Sequence, residues 1–257
     1  MKLNARSLGL TLALTLNLGA AWGCVSGGAP VESPPAHVPA PAQAAEAPAA
    51  GGPSITLMEF APMRAELRRF LAIEGERLGR ELDASFESLG PDAWVWRLEG
   101  VRDVYLKLDA QGDLVTVRED EFSERVSVRY EPGIPLAPGR LTQQGPGPRT
   151  LREGAVKVTV LNATTGRSMD SGECSYRLEW LPTPGEAASL AEMQTVRLRG
   201  WRELSLGLAN SKVEVESTYR RGVGLVRERV VQRTRALGLI ETSKSETLQA
   251  VIKEHRP

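Results

Sequence analysis

Past residue 91 the chain alternates apolar and polar residues, the period of a strand with one buried face. Trp94, Trp96 and Leu98 fall on one side of the first run. Val104, Leu106 and Leu108 share a side in the second, before Asp109-Ala110-Gln111-Gly112 and a third run with Val115 and Val117. Two alternating runs about a Gly-containing turn predict a β-hairpin, which "RVSVRY" extends. The stretch "EPGIPLAPGRLTQQGPGPRTLREG" is dense in Pro and Gly and predicts a loop rather than a central strand. Alternation then resumes from "AVKVTVLNA" to "GLVRERVVQR", with charges opposite the apolar positions. That pattern suits an antiparallel sheet with one wet face. In "GVGLVR", Gly222 and Gly224 predict a bulge or bend; the strand-like residues after them argue against a phosphate-cradling loop, which needs a helix there.

A different period precedes these runs. Met63, Leu67, Phe70, Leu71, Leu78, Leu82, Phe86 and Leu89 recur at steps of three or four, so residues 54–90 are predicted to be helical, with Pro62 in the first turn and Gly90-Pro91 as the stop. The expected fold class is mainly β (α+β): a curved antiparallel sheet or half-barrel spanning 91–241, with an N-terminal amphipathic helical segment. The polar residues 242–257 are expected to form a frayed tail.

The first 53 residues bring in a cell compartment. Lys2 and Arg6, an apolar run from Leu8, and small residues at Gly19, Ala20, Ala21 and Gly23 follow the order of a secretory signal, read as residues 1–23. The run is short for a membrane span. Residues 24–53 are dominated by Ala, Pro and Gly, with no Lys or Arg, and read as a disordered tether. At about 3.1 Å per residue in polyproline II geometry it could reach on the order of 90 Å.

Charge and chemistry narrow the function. Thirty-two Lys and Arg balance thirty-two Asp and Glu, so no net field steers the chain to nucleic acid or to an anionic membrane. The interleaving of Arg220, Arg221, Arg227, Arg229, Arg233 and Arg235 with glutamates reads as a charged outer sheet face. The two histidines, His37 and His255, lie in the tether and the tail. The folded part therefore lacks the imidazole of Ser-His-Asp and Cys-His systems and of His-based zinc sites. Cys174 reads as a small buried hydrophobe. No catalytic residue, metal site or cofactor is expected. The run "REDEFSE", with Glu119, Asp120, Glu121 and Glu124, reads as a solvated acidic loop, and paired carboxylates there are the one opening for a hydrolase. A ligand site, if the sheet curls, falls to the aromatic residues Trp94, Trp96, Tyr105, Trp180, Trp201 and Tyr219.

Two resemblances add to these readings. Ala21-Trp22-Gly23-Cys24 resembles the lipobox of bacterial lipoproteins, with Ala21 where Leu is usual and a bulky Trp22 where a small residue is usual. The resemblance implies that Cys24 is the lipid-attachment residue, and Val25 in place of Asp implies an outer-membrane address, facing the periplasm or the cell surface; Ala21-Trp22-Gly23 also reads as an ordinary A-x-A-like cleavage site, at which Cys24 would carry no lipid. "RYEPGIPLAPG", "YRLEWLPTPG", "TVRLRG" and "TYRRGVGLVRER" resemble the DUF3108-like (TapB-like) group of exported bacterial proteins, over roughly residues 129–232. That resemblance implies a long series of antiparallel strands in the cell envelope and no particular activity. The expectation is a non-enzymatic, lipid-anchored envelope protein that holds a protein partner or an apolar ligand on one sheet face. The alternatives are a lipid or lipoprotein carrier of half-barrel type and a carboxylate-dependent hydrolase.

Overall fold

The structure is a computed structural model and describes residues 54–61, 66–142, 147–181, 190–207, 209–236 and 240–251. The predicted signal, the tether and Cys24 lie outside the described residues.

Among the described residues fourteen strands follow one another, interrupted by a helical turn α1 (Leu57–Phe60) and a 3-10 turn at Leu190–Glu192. They are β1 (Ser54–Thr56), β2 (Leu67–Glu74), β3 (Glu81–Gly90), β4 (Ala93–Leu98), β5 (Arg102–Leu108), β6 (Leu114–Glu121) and β7 (Val126–Ala137). Then come β8 (Arg140–Thr142), β9 (Arg149–Asn162), β10 (Ser168–Leu181), β11 (Thr195–Leu206), β12 (Ala209–Arg220), β13 (Gly224–Ala236) and β14 (Ile240–Ala250). Twelve of them close an antiparallel barrel in the order β10-β11-β12-β13-β14-β2-β3-β4-β5-β6-β7-β9, and β9 pairs back to β10. Among the described residues strands β1 and β8 pair with each other in a separate two-stranded sheet.

Register fixes which side chains face in. Trp94 opposes Leu106, Trp96 opposes Val104, and Tyr130 opposes Val158. Cys174 opposes Val156 and Leu204. These residues line the inner face with the buried apolar clusters. The outer positions between them carry charge: Arg97 and Asp103 on β4 and β5, Arg199 on β11, Glu216 on β12 and Arg229 on β13. Charges in mid-strand on the outside are incompatible with the apolar band of a lipid-embedded barrel. Among the described residues no helix is long and apolar enough to cross a membrane.

One barrel end is plugged. Ile55, Leu57 and Phe60 pack with Leu141 of β8, Leu190, and the strand residues Trp94, Leu106, Leu198 and Tyr219. Glu59 anchors the plug: its carbonyl accepts from Gly222 N at 2.8 Å and its carboxylate lies 3.4 Å from Arg221. The Arg221 guanidinium also sits 5.1 Å over the Phe60 ring. Asp113, 2% exposed, ties the plug to the wall by accepting from Gly139 N at 2.8 Å and from Arg152 Nε at 2.5 Å.

The predicted hairpin is present as β5 and β6, where Asp109 Oδ1 accepts from the amides of Gln111 and Asp113. A bulge also occurs next to the predicted glycines: pairing of β12 with β13 shifts between Thr218, opposite Arg227, and Tyr219, opposite Leu225, leaving Val226 unpaired two residues after Gly224 (φ +101°). Four expectations are corrected. The sheet closes, so there is no open concave face. The described residues of the segment 54–90 form β1, β2 and β3, with a turn over residues 75–80 and helix only at Leu57–Phe60: Phe70, Ala72, Leu82 and Ala84 alternate inward while Leu67 and Leu89 are exposed. Gly75 (φ +99°) turns the chain between β2 and β3, and a Cβ there would lie 2.3 Å from the Ser245 carbonyl oxygen. The Pro/Gly-dense stretch is carried partly in β7, whose pairing with β9 stops at Glu131, just before Pro132, which has no N–H to offer. Finally, residues 242–250 are no frayed tail. They belong to β14, which pairs along β13 and closes the barrel onto β2 with Leu248 opposite Ala72.

Candidate functional site: charges inside the barrel

A round barrel of twelve strands would enclose a lumen, since about eight already suffice to be filled by side chains. Here opposite walls touch. Arg102 of β5 donates to Glu228 of β13, across an arc holding β14, β2, β3 and β4. Arg202 of β11 donates to Glu119 of β6 at 2.5 Å, across β10, β9 and β7. The wall is therefore flattened, and its two sides are stapled by ion pairs as well as by apolar contact. The cavity between β7, β10, β11 and β12 has a volume of about 20 Å³. That is room for about one water molecule, not for an acyl chain. Gly200 contributes to it by lacking a side chain on the inner face: a Cβ there would meet nothing within 4 Å.

The electrostatics follow from who pairs with whom. Burial alone would raise the Glu119 carboxyl, but Arg202 and then Arg102 outweigh it and hold the group below its ordinary range. Tyr130 completes this group, its hydroxyl 3.4 Å from Glu119 and its ring 5.8 Å below the Arg202 guanidinium. Arg102 stacks 5.0 Å over Trp96, and its Nε is buried without a hydrogen-bond partner. Glu121 is on the same inner face and forms no ion pair with a described residue. Burial pushes its carboxyl up to about 7; Arg102 opposes this, and Glu119 and Glu124 reinforce it. Beyond it, Glu124 pairs with Lys244 of β14. Two inward carboxyls with pKa values driven apart are the raw material of acid–base chemistry. The cavity does not reach them, however, and Glu119 is committed to Arg202. Burial pushes the Cys174 thiol up to about 11, leaving it protonated and unreactive. Among the described residues no group of three or more His, Cys, Asp and Glu side chains is placed to hold a metal ion.

The six aromatic residues singled out from sequence do not form one surface. Trp94 and Tyr219 are buried in the plugged end, with Trp96 and Trp180 packed against that cluster. Trp94 and Trp96 do share the inner face, as predicted. Tyr105 and Trp201 stand outside, the first 4.7 Å under the Arg118 guanidinium and the second 4.5 Å under Arg199. Of the acidic run, Glu119 and Glu121 enter the barrel, Asp120 pairs outside with Arg118 at 2.6 Å, and Glu124 is in the following turn. Strand β6 thus replaces the expected solvated loop. The inward arginines Arg102 and Arg202 were not singled out from sequence. Their signal is a charge at a position in phase with apolar neighbours: Arg102 before Val104 and Leu106, and Arg202 between Leu198 and Leu204.

Comparison with protein-family models, with curated proteins and with solved structures finds no match to this chain.

Proposed function

We propose that this chain is an exported protein, lipid-anchored through Cys24 in the outer membrane, whose barrel engages a partner with its outside. The filled interior carries this reading: the ion pairs Arg102–Glu228 and Arg202–Glu119 bridge the walls, and the cavity of about 20 Å³ is too small for a lipid tail. A carrier of the half-barrel type would need a lumen, and a carboxylate hydrolase would need a cleft at Glu119 and Glu121. The charged, secretory and Pro/Ala-rich pattern of residues 1–53 supports export and tethering. A tether of this kind leaves the barrel free to meet a partner away from its anchor.

The test is membrane fractionation of the wild type beside Cys24→Ala, with the intact mass of each mature protein. The wild type is expected in the membrane fraction with the mass of an acylated N-terminal cysteine, and Cys24→Ala in the soluble fraction. A wild type with an unmodified cysteine defeats the anchor. Native mass spectrometry of the wild type addresses the interior, where a stoichiometric lipid bound within the barrel would favour the carrier instead.

A further inference from the structure

Around most of the barrel, outward arginines are matched by carboxylates. Arg97 meets Glu87 and Asp103, Arg177 and Arg199 share Glu179, and Arg197 meets Glu216. Strand β13 breaks this rule. Glu228 and Val230 face inward, so Arg227, Arg229, Arg233 and Arg235 all project outward, and all four are exposed. Arg229 has only a long contact to Glu74, at 3.9 Å. Arg227, Arg233 and Arg235 form no ion pair with a described residue. The neighbouring positions of β14 are mostly neutral: Gln249 beside Arg227, Thr247 beside Arg229, Ser243 beside Arg233, and Ser245 beside Val231. Only Arg235 has a carboxylate, Glu241, as its β14 partner in register. On the other flank, Glu216 is already engaged by Arg197, Glu214 stands beside Val231, and Lys212, paired with Glu203, lies beside Arg233.

We propose that this outer face of β13 docks on the phosphate-bearing surface of an anionic phospholipid membrane. Four outward guanidiniums of one strand, in two pairs with Val231 between them, span about 27 Å at ~3.4 Å per residue. Each is a planar donor suited to phosphate oxygens, and Ser243 of β14 sets a hydroxyl beside Arg233, while Ser245 and Thr247 already donate to Glu74. The row is a ridge on the barrel's outside and not a pocket, so it fits an array of headgroups better than one small anion. Its excess charge is local: the chain as a whole is neutral, and among the described strands β13 is the one with three arginines outside any ion pair. The inference concerns the barrel alone and does not depend on acylation of Cys24.

The experiment uses the full chain carrying Cys24→Ala, so that no acyl anchor contributes. It is co-sedimented with vesicles of neutral phosphatidylcholine and with vesicles containing roughly 30% phosphatidylglycerol. Binding to the anionic vesicles is expected to exceed binding to the neutral ones and to vanish at about 0.5 M salt, where screening is strong. The triple variant Arg227→Gln, Arg233→Gln, Arg235→Gln is expected to bind anionic vesicles about 100-fold more weakly, at ~1 kcal/mol per arginine near such a surface. The charge-retaining variant with Lys at the same three positions is expected to bind nearly as the wild type, which separates loss of charge from loss of fold. A control that removes equal charge elsewhere, Arg129→Gln, Arg140→Gln, Arg167→Gln, is expected to leave binding unchanged. Equal binding to both vesicle types, an unaffected β13 variant, or an equal loss in the control would each overturn the proposal.

Discussion

The plugged end and the middle of the barrel bury their side chains by opposite means. At the plug, Phe60 and Leu141 are completely buried among apolar neighbours, and burial area with dispersion supplies the stability. In the middle, Arg102, Arg202, Glu119 and Glu228 cross between the walls as ion pairs, each carrying a desolvation cost that only a partner offsets. Apolar packing tolerates a new shape of similar volume, whereas a buried ion pair does not tolerate loss of one charge. The middle should therefore be the part of the fold that responds to pH and to single-charge changes.

Two substitutions of near-equal size sharpen that contrast most. Glu228→Gln keeps the shape but leaves Arg102 buried without its carboxylate, with an expected cost of about 3–5 kcal/mol. Leu141→Met keeps volume and polarity in the plug and is expected to cost less than about 1.5 kcal/mol. Denaturant midpoints at constant m-value measure both. Similar losses at the two sites would mean that the ion pair is more hydrated than its burial implies, and the distinction between the regions would fail.

Glu121 gives the next largest effect, and its sign is unusual for a carboxylate. Its pKa is raised in the folded state to about 7, so between its ordinary value of 4.5 and about 7 the folded protein holds a proton that the unfolded chain has released. Stability from this group is intact below about pH 4.5 and is lost as pH rises toward 7. Above that, the penalty is on the order of 3 kcal/mol, at 1.36 kcal/mol per unit. Glu121→Gln is expected to stabilise the protein by roughly 2–3 kcal/mol near pH 8 and to do little near pH 4. Urea unfolding at the two pH values checks this. A gain that is the same at both would show that packing, and not ionisation, is responsible.

These residues also mark where the sequence was legible. Alternation was readable wherever one face is apolar and the other charged, as along Trp94–Leu98 and Val104–Leu108. It failed for residues 67–90 because apolar residues lie on both faces there: Leu67 and Leu89 are exposed outside while Phe70 and Leu82 face in, and together they mimic a helical period. Gly75 and Gly79, both at positive φ, were the signal that a turn and not a helix lies between them. Strand β14 was missed because its exposed residues 241–244 are polar on both sides, and only Leu248 shows the inner face. The ion pairs were invisible for another reason. Arg102 and Glu228 lie 126 positions apart, and which charges meet across a closed barrel depends on register and flattening, which local pattern does not encode.

Between the two regions sits Gly200, and it carries the smallest effect. It is on the inner face of β11 with Leu198 toward the plug and Arg202 toward the ion pairs, and it borders the cavity of about 20 Å³. Its backbone is not in the left-handed region, and an added methyl group would meet no atom within 4 Å. Gly200→Ala should restrict the unfolded chain and fill part of the void at no steric cost, stabilising the barrel by about 0.5–1 kcal/mol. A water held in that cavity by the nearby Ser217 or Arg202 would be displaced by the methyl, and the gain would shrink or reverse. Thermal unfolding of Gly200→Ala thus reports whether the void belongs to the dry apolar end or to the polar middle. A rise in Tm assigns it to the first, and a fall assigns it to the second.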